Sequence, residues 1–352
     1  MIPEMMKAVV ITGPNDYGLQ EVPVPKPRRG EVLVRIKACA ICGSDPKIFD
    51  GGYKGMWPPG YPFIAGHEWA GEIVQLGEEV TGFEVGDRVA GEAHKGCGHC
   101  RACKAGFYNL CVNYGKNETG HRHYGFTYQG AYAEYNAYSV NAIAKLPDNL
   151  SYNEGALVDT AGTAYHGIEL AGVTPGGTSV IIGPGPVGIF TMMIAKSMGS
   201  RTVMVGRGRR LQVAAKMGAD AVVDYEKEDP VRRVMEITGG SGADEVFECA
   251  GSEAAVGQAV QVARKGGRIA LLGIYGSNSI PVPLRTVVLN QISILGSRAN
   301  PNVSEKVISL MSAGKIDAGS MVTHEFPLEK IREAIDTFVR RVDGALKVVV
   351  KP

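Results

Sequence analysis

The amino-acid sequence predicts an α/β protein with two domains, a small β-rich domain and a parallel sheet covered by helices. The chain has 352 residues, and this length favours two domains over one. Short strand patterns separated by glycine fill the first part of the chain. From about residue 155, apolar runs of four to six residues alternate with helical segments. This alternation is typical of a parallel sheet with helices on both faces.

The β-rich part begins with predicted strands at 7–11 and 31–38, and the second run alternates with the period of two that a strand requires. Residues 22–27 contain three prolines and are predicted to form an extended edge or linker. The remaining elements of this partly barrel-like domain are strands at 68–76 and 86–90 and a closing segment at 131–147.

The α/β part is predicted to alternate strands and helices as far as residue 295. Its strands are predicted at 179–182, 202–205, 221–223, 245–249, 268–273 and 292–295. Its helices are predicted at 187–198, 209–217, 229–237 and 254–264. The tail contains two predicted helices and a last strand that returns to the first domain, at 304–313, 328–341 and 348–350.

The composition limits the classes of partner. Lys plus Arg number 37 and Asp plus Glu 36, and this balance argues against nucleic acid or an anionic membrane as the main partner. No basic region followed by an apolar run begins the chain, and no apolar stretch approaches the ~20 residues that span a bilayer. We therefore expect no membrane partner and a cytoplasmic location.

Four cysteines within fifteen residues form the pattern C-x2-C-x2-C-x7-C. Thiolates at this spacing can surround Zn²⁺ as a tetrahedron that leaves no position for water. The polar, glycine-rich surroundings and the absence of an export signal favour a structural zinc over disulfides. Free thiols and an iron–sulfur cluster are the alternatives. The predicted ligands are Cys97, Cys100, Cys103 and Cys111.

A second set of candidate metal ligands comes from two separate segments. Cys42 is followed 25 residues later by His67, and Glu68 comes next. A thiolate, an imidazole and a carboxylate suit a catalytic zinc, which keeps one position open for water or substrate. Asp45 is expected to accept a hydrogen bond from the second ring nitrogen of His67, and Ser44 to pass on an alcohol proton. Each residue alone has an ordinary structural alternative, such as a packed thiol.

A glycine-rich loop follows a predicted strand and opens a predicted helix. The hexapeptide Gly183-Pro184-Gly185-Pro186-Val187-Gly188 fits G-x-G-x-x-G. The motif is weak alone, but between a strand and a helix it is the fingerprint of a dinucleotide site, where backbone N–H groups and the helix N-terminus face the pyrophosphate. An ordinary glycine-rich turn is the alternative.

The next predicted strand ends where a site specific for NAD would carry Asp or Glu. The chain instead has Gly206-Arg207-Gly208-Arg209-Arg210. A carboxylate would bond the ribose hydroxyls and repel a 2′-phosphate, whereas arginines can hold that phosphate by charge-assisted bonds. This favours NADP over NAD, with Arg207 as the main candidate. The alternative is a solvated basic start to the next helix.

These motifs, in this order, resemble the zinc-containing medium-chain dehydrogenase family over nearly the whole chain. Gly66-His67-Glu68-Trp69-Ala70-Gly71 is similar to the zinc signature of the family, and 86–89 and 130–135 are similar to further landmarks. The resemblance implies a GroES-like catalytic domain made of 1–155 and 296–352. It also implies an inserted Rossmann domain at 156–295 and a homodimer or homotetramer, with 285–299 as the candidate pairing edge.

The resemblance also implies roles for individual residues. Cys42 and His67 correspond to zinc ligands, and Glu68 to a ligand or a neighbour that exchanges with water. Asp159 occupies the position where relatives carry Cys or Glu as a further ligand. Thr163 matches a threonine near the nicotinamide. Lys47 stands where many relatives have the histidine that ends the proton relay, so the relay beyond Ser44 is an open question.

The motif Cys-Gly-Ser-Asp with an acidic fourth ligand position resembles most closely the polyol (sorbitol) and threonine dehydrogenases. The favoured hypothesis is a zinc-dependent oxidation of a secondary alcohol, of the polyol, sugar or cyclitol type, with NADP favoured over NAD. A polar segment at 113–128 suits a hydroxylated substrate, or is a surface loop. The alternatives are an aldehyde or ketone reductase that uses NADPH and, more remotely, a non-catalytic zinc-binding relative.

Overall fold

The computed structural model describes residues 1–53, 55–276 and 279–352. The strands in chain order are β1 (Met5–Gly13), β2 (Asp16–Pro23), β3 (Glu31–Ala40), β4 (Glu68–Leu76), β5 (Arg88–Gly91), β6 (His94–Lys95), β7 (Arg122–His123), β8 (Tyr135–Ser139), β9 (Ile143–Lys145), β10 (Thr178–Ile182), β11 (Arg201–Gly206), β12 (Ala221–Asp224), β13 (Ala243–Glu248), β14 (Ala263–Leu271), β15 (Ser293–Gly296), β16 (Val322–Pro327) and β17 (Lys347–Lys351).

The α-helices in chain order are α1 (Asp45–Phe49), α2 (Arg101–Lys104), α3 (Tyr152–Ala156), α4 (Val158–Ala171), α5 (Pro186–Ser197), α6 (Gly208–Lys216), α7 (Pro230–Ile237), α8 (Glu253–Val262), α9 (Leu284–Leu289), α10 (Ser304–Ser312) and α11 (Ile331–Arg340). Across the described ranges, none of these helices combines the length and the apolar character that a membrane span requires.

The chain divides into two compact units. One unit, called here the β-rich unit, comprises Met1–Asp159, Pro301–Ser312 and Ala318–Pro352. The other, called the α/β unit, comprises Thr160–Asn300 and Ala313–Asp317.

The β-rich unit is built around a sheet in the order β16-β17-β3-β4-β5-β9, with β8 also paired to β3. Strand β3 is buried along almost its whole length because it has partners at both edges and a core on its faces. Trp69, Tyr124, Tyr132 and Tyr138 are fully buried in this core. The predicted return of the last strand is confirmed, since β17 pairs with β3 in antiparallel orientation.

Strands β1 and β2 form a separate antiparallel hairpin. Asn15 lies in its turn with φ of 61°, a left-handed conformation that asparagine tolerates better than most residues. The sequence did not predict strand β2, because its side chains are mostly exposed or half-buried. A strand with so little burial has no apolar alternation to indicate it.

The α/β unit is a six-stranded parallel sheet in the order β12-β11-β10-β13-β14-β15. Its core contains Val180, Val203, Val246 and Ile269, each contributed by a different strand. The chain leaves β10 for β11 on one side, and β13 lies on the other. At such a switch point ligands bind beyond the carboxyl ends of the strands. The predicted α/β fold class is confirmed.

Candidate active site

Cys42, His67 and Glu68 bring their ligand atoms within 4.8 Å of one another. Cys42 follows the end of β3, and Glu68, which opens β4, pairs with Ala40 across the antiparallel ladder. The sheet register therefore joins segments that are 25 residues apart. His67 and Glu68 are buried and Cys42 is half-buried. This mixed donor set fits a zinc ion that keeps a position open.

Asp45 connects the segment of Cys42 to His67. Its Oδ1 lies 3.6 Å from Nδ1 of His67, while Oδ2 accepts hydrogen bonds from the backbone N–H of Cys42 at 2.8 Å and the hydroxyl of Tyr132 at 2.9 Å. Asp45 is fully buried. The carboxylate thus faces one ring nitrogen of His67 and leaves the other for a metal, as carboxylates beside metal-bound histidines do.

Opposing effects act on the pKa of His67. Burial lowers it, but the negative charges of Asp45 and the Cys42 thiolate outweigh burial and raise it well above its usual value. The imidazole must be neutral to bind a metal, so a zinc ion held here would displace a proton from His67.

A buried ion pair joins Glu68 to Lys347. Nζ of Lys347, on β17, donates to Oε2 of Glu68 and, at 3.4 Å, to the carbonyl of Ile41. Both side chains of the pair are 2 % exposed. Burial lowers the pKa of Lys347, but Glu68 and Cys42 outweigh it and raise the pKa above its usual value. Lys347 therefore stays charged and binds Glu68 beside the other two ligands.

Ser44 and Lys47 have different environments. Ser44 is buried, and its Oγ has no hydrogen-bond partner among the described residues. Lys47 lies in the last turn of α1 and is exposed, with its Nζ 5.6 Å from the ring centroid of Tyr53. The buried, unsatisfied hydroxyl is available to a ligand at the metal site.

Asp159 lies in the first turn of α4 and is buried. Its Oδ1 accepts a hydrogen bond from the backbone N–H of Ala93 at 3.3 Å, and its charge contributes to the raised pKa of Lys347. Among the described residues, Asp159 does not belong to the group whose ligand atoms lie within 4.8 Å of one another. The structure thus places it close to the ligand set without joining it.

The segment 113–128 packs aromatic rings against His67. The ring centroids of Phe126 and His67 lie 4.4 Å apart, and the ring of His123 stacks on that of Phe126 with a centroid distance of 4.0 Å. Nε1 of Trp57 donates to the hydroxyl of Tyr114 at 2.9 Å. The hydroxyl of Tyr114 also lies 2.5 Å from Nδ1 of His123, so it joins Trp57 to the stacked rings of His123 and Phe126.

The four cysteines of the predicted structural site also converge, with all Sγ atoms within 4.8 Å of one another. Gly96 allows this approach, because a Cβ there would lie 2.4 Å from Sγ of Cys103. Burial raises the pKa of Cys97, but hydrogen bonds from Asn113 and backbone N–H groups outweigh it and lower the pKa to about 5. The set Cys97, Cys100, Cys103 and Cys111 fits a tetrahedral zinc with no open position.

The predicted phosphate loop leaves β10 and opens α5. Gly183 has φ of 108° and donates its N–H to the carbonyl of Val205 at 2.9 Å. A Cβ on Gly188 would lie 2.0 Å from the carbonyl oxygen of Gly183, so only glycine permits this close turn. Gly185 is the N-cap of α5, and Pro186 opens the helix, with Val187 next. The N–H groups of this helix start fit a pyrophosphate.

The other predicted cofactor residues lie on neighbouring elements of the α/β unit. Gly206 ends β11, Arg207 is the N-cap of α6, and Arg209 and Arg210 lie in the first turn of that helix. Thr163 is half-buried on α4. No carboxylate occupies the end of β11 itself.

Comparisons with known proteins agree with this architecture. Residues 28–148 match the alcohol dehydrogenase GroES-like domain, and residues 186–313 match the zinc-binding dehydrogenase domain. The chain is 35% identical over 353 residues to sorbitol dehydrogenase of Bacillus subtilis, covering 100% of this chain and 98% of that protein. It is 35% identical to L-threonine 3-dehydrogenase of Pyrococcus furiosus, covering 99% of each.

A solved structure extends the comparison. A zinc-binding dehydrogenase of Sinorhizobium meliloti bound to NADP superposes with a TM-score of 0.90 at 29% identity, covering 99% of this chain and 100% of that one.

An open thiolate–imidazole–carboxylate site in one unit and a glycine loop on a parallel sheet in the other define the class of zinc-dependent dehydrogenases. The chain belongs to the zinc-containing medium-chain alcohol dehydrogenase family, and its identity of 35% and 32% to the sorbitol dehydrogenases of Bacillus subtilis and Homo sapiens supports the polyol dehydrogenase subgroup. It is an NAD(P)-dependent zinc alcohol dehydrogenase, as the sequence predicts.

Proposed function

We propose that this enzyme transfers a hydride between a secondary alcohol carbon of a polyol, sugar or cyclitol and NADP, which it prefers to NAD. The convergence of Cys42, His67 and Glu68 carries the catalytic part of this proposal. Relatives named sorbitol dehydrogenase and D-arabitol-phosphate dehydrogenase support a hydroxyl-rich substrate.

The roles of the site residues follow from their contacts. Cys42 and His67 would hold the zinc, with Glu68 as a third ligand or as a neighbour that exchanges with water, and Asp159 as a candidate further ligand. When bound, zinc supplies a Lewis acid that lowers the pKa of an alcohol or polarises a carbonyl. Asp45 would orient the ring of His67, because its Oδ1 lies 3.6 Å from Nδ1 of that ring.

The proton of the substrate hydroxyl would pass first to Ser44, whose buried Oγ has no other described partner. Lys47 is exposed on the same short helix. It would then accept the proton or hold a cofactor hydroxyl. Phe126 covers one side of His67, which keeps water away from that ligand.

The cofactor would bind to a Rossmann domain at 156–295, with its pyrophosphate on Gly183–Gly188 and its nicotinamide near Thr163. Support for NADP comes from the end of β11, where Arg207 stands and a carboxylate does not. Arg209 and Arg210 add positive charge close by.

We also propose two zinc ions in each chain, one at the open site and one at the cysteine quartet, since both ligand sets converge. Assembly into a homodimer or homotetramer would use the segment 285–299. Strand β15 in that segment is an outer strand of the parallel sheet, and Val288 and Leu289 beside it are 75% and 70% exposed.

A substrate panel with both cofactors tests the proposal. Polyols, cyclitols and simple secondary alcohols would be oxidised with NADP and with NAD, and the corresponding ketones reduced, with absorbance of the reduced nicotinamide as the readout. We expect the highest kcat/KM with a polyol-type substrate and NADP. The Arg207→Ala variant should raise KM for NADP far more than KM for NAD, and equal effects on the two would contradict the NADP preference.

A further inference from the structure

The ends of β11 and β12 lie side by side in the α/β unit. Their parallel register pairs Gly206 with Asp224, and the backbone N–H of Tyr225 donates to the carbonyl of Gly206 at 3.1 Å. The backbone N–H of Glu226 donates to Oδ1 of Asp224 at 3.1 Å. The residues after β12 are therefore fixed next to Arg207, which follows β11.

An ion pair joins these two strand ends. Nη1 of Arg207 donates to Oε1 of Glu226 at 2.5 Å, and the guanidinium carbon lies 5.8 Å from the ring centroid of Tyr225. The side chains of Arg207 and Glu226 are 57% and 52% exposed. The sequence alone does not reveal this pair, because Glu226 is 19 residues further along the chain.

We propose that Glu226 is a specificity-determining residue, whose carboxylate competes with the 2′-phosphate of NADP for Arg207 and so limits the discrimination between NADP and NAD. This inference rests on the proposed NADP preference. The turn after β12 would then contribute to the discrimination between NADP and NAD. The sequence alone indicated only the end of β11 for this discrimination.

Simple electrostatics supports the competition. An exposed ion pair is weak, because water screens it and two flexible side chains must be ordered. A phosphate dianion forms stronger, bidentate bonds with a guanidinium, so it can displace Glu226 from Arg207. The turn after β12 fixes the backbone of Glu226 beside Arg207, so the displaced carboxylate stays close to the phosphate and repels it. Glu226→Gln keeps the size of the side chain and removes this charge.

The experiment compares cofactor binding to the zinc-loaded full-length enzyme and its Glu226→Gln variant. Dissociation constants for NADP and NAD would be measured by calorimetric titration at low and high salt. We expect the Kd for NADP to fall about 3- to 10-fold and the Kd for NAD to change less than about 2-fold. The gain should shrink at high salt, because screening weakens exposed charges.

Two further variants make the outcome decisive. Glu236→Gln removes the same charge from α7, where Glu236 pairs with Arg232 and Arg233, and should change neither constant. Arg207→Ala tests the NADP preference itself. If Arg207→Ala weakens NADP selectively while Glu226→Gln leaves both constants unchanged, the inference is overturned and the proposed function stands.

Other outcomes separate the remaining possibilities. Weaker NAD binding by Glu226→Gln would show that Glu226 binds the ribose hydroxyls, which overturns the inference. If Arg207→Ala affects both cofactors equally, the proposed NADP preference fails and the inference fails with it. If Glu236→Gln increased the affinity for NADP as much as Glu226→Gln does, the effect would come from the overall charge of the protein. This result would also overturn the inference.

Discussion

The two candidate metal sites of the β-rich unit are built in opposite ways. The quartet takes all its ligands from Cys97–Cys111, a local loop with glycines at its bends. The open site takes its ligands from the end of β3 and the start of β4, and its nearest charged partners include Lys347, 279 residues from Glu68. One site depends on local chain geometry and the other on the register of a sheet.

This difference explains their different surroundings. The cysteines of the quartet contact one another, backbone N–H groups and the amide of Asn113, and they are mostly half-buried. The charged groups of the open site are buried, where bulk water cannot stabilise them. Asp45 and Lys347 supply that stabilisation instead. A catalytic site of this kind needs supporting charges from distant segments, whereas a structural site does not.

The largest expected effect is the loss of turnover at the open site. Cys42→Ala removes one of three convergent ligands, and we expect kcat to fall by at least about 1,000-fold because the metal is lost or misplaced. Cofactor affinity should change less than about 2-fold, since the phosphate loop belongs to the other unit. Steady-state kinetics and a cofactor titration measure the two quantities. If kcat and cofactor affinity fell by similar factors, the site would not be purely catalytic.

The next effect concerns the ion pair behind the open site. Lys347→Met removes the buried ammonium that pairs with the carboxylate of Glu68, and we expect the free energy of unfolding to fall by about 3–5 kcal/mol. Chemical denaturation of the zinc-loaded enzyme measures the change. The double variant Lys347→Met with Glu68→Gln should recover most of the stability. If the single variant Lys347→Met were as stable as the wild type, the stability of the enzyme would not depend on the ion pair between Lys347 and Glu68.

A smaller loss of stability is expected at the quartet. Cys100→Ser removes one of the four thiolates, and we expect the free energy of unfolding to fall by about 2–4 kcal/mol. The enzyme that remains folded should keep a kcat within about 3-fold of the wild type, because the quartet has no open position. Thermal unfolding and active-site-normalised kinetics check both parts. A loss of activity as large as that of Cys42→Ala would erase the distinction between the sites.

The smallest effect involves Glu92, which contacts the loop of the quartet and lies near Asp159. Its Oε2 accepts hydrogen bonds from the hydroxyls of Tyr108 at 2.9 Å and Ser304 at 3.4 Å. Burial raises the pKa of Glu92 to about 8 from its usual value of 4.5. The folded state therefore binds this proton more tightly than the unfolded state.

The sign of the pH effect follows from that shift. Glu92 contributes its full stabilisation below pH 4.5 and loses it as the pH rises through about 8. We expect the wild type to lose on the order of 2 kcal/mol of stability relative to Glu92→Gln between pH 6.5 and pH 8.5. Urea denaturation of both proteins across this range measures the difference. Parallel pH profiles would show that Glu92 is not buried as a neutral acid.

The same contrast shows what a sequence can predict. The quartet and the phosphate loop were predictable because their geometry is local: cysteine spacing, glycines and the strand–loop–helix order suffice. The parallel sheet was predictable from its apolar runs. Ligands Cys42 and His67 were visible as residue types, but their convergence depends on the β3–β4 register.

The sequence could not predict which distant segments contact one another. A lysine within the apolar run Ala345-Leu346-Lys347-Val348 was the one signal of a buried partner, since lysine is rarely buried unpaired. Its partner, Glu68, could not be chosen from the sequence because β17 meets the site only through pairing with β3. Glu226 gave no signal, because an acidic residue after an outer strand is ordinarily a solvated side chain.

The zinc content of three proteins tests the central claim most directly. Elemental analysis of the wild type, Cys42→Ala and Cys100→Ser, each with its rate of nicotinamide reduction, assigns each metal to a site and a role. We predict two zinc ions for the wild type and one for each variant, with turnover lost only in Cys42→Ala. A Cys42→Ala protein that keeps two zinc ions, or keeps its turnover, would contradict a catalytic zinc at Cys42, His67 and Glu68.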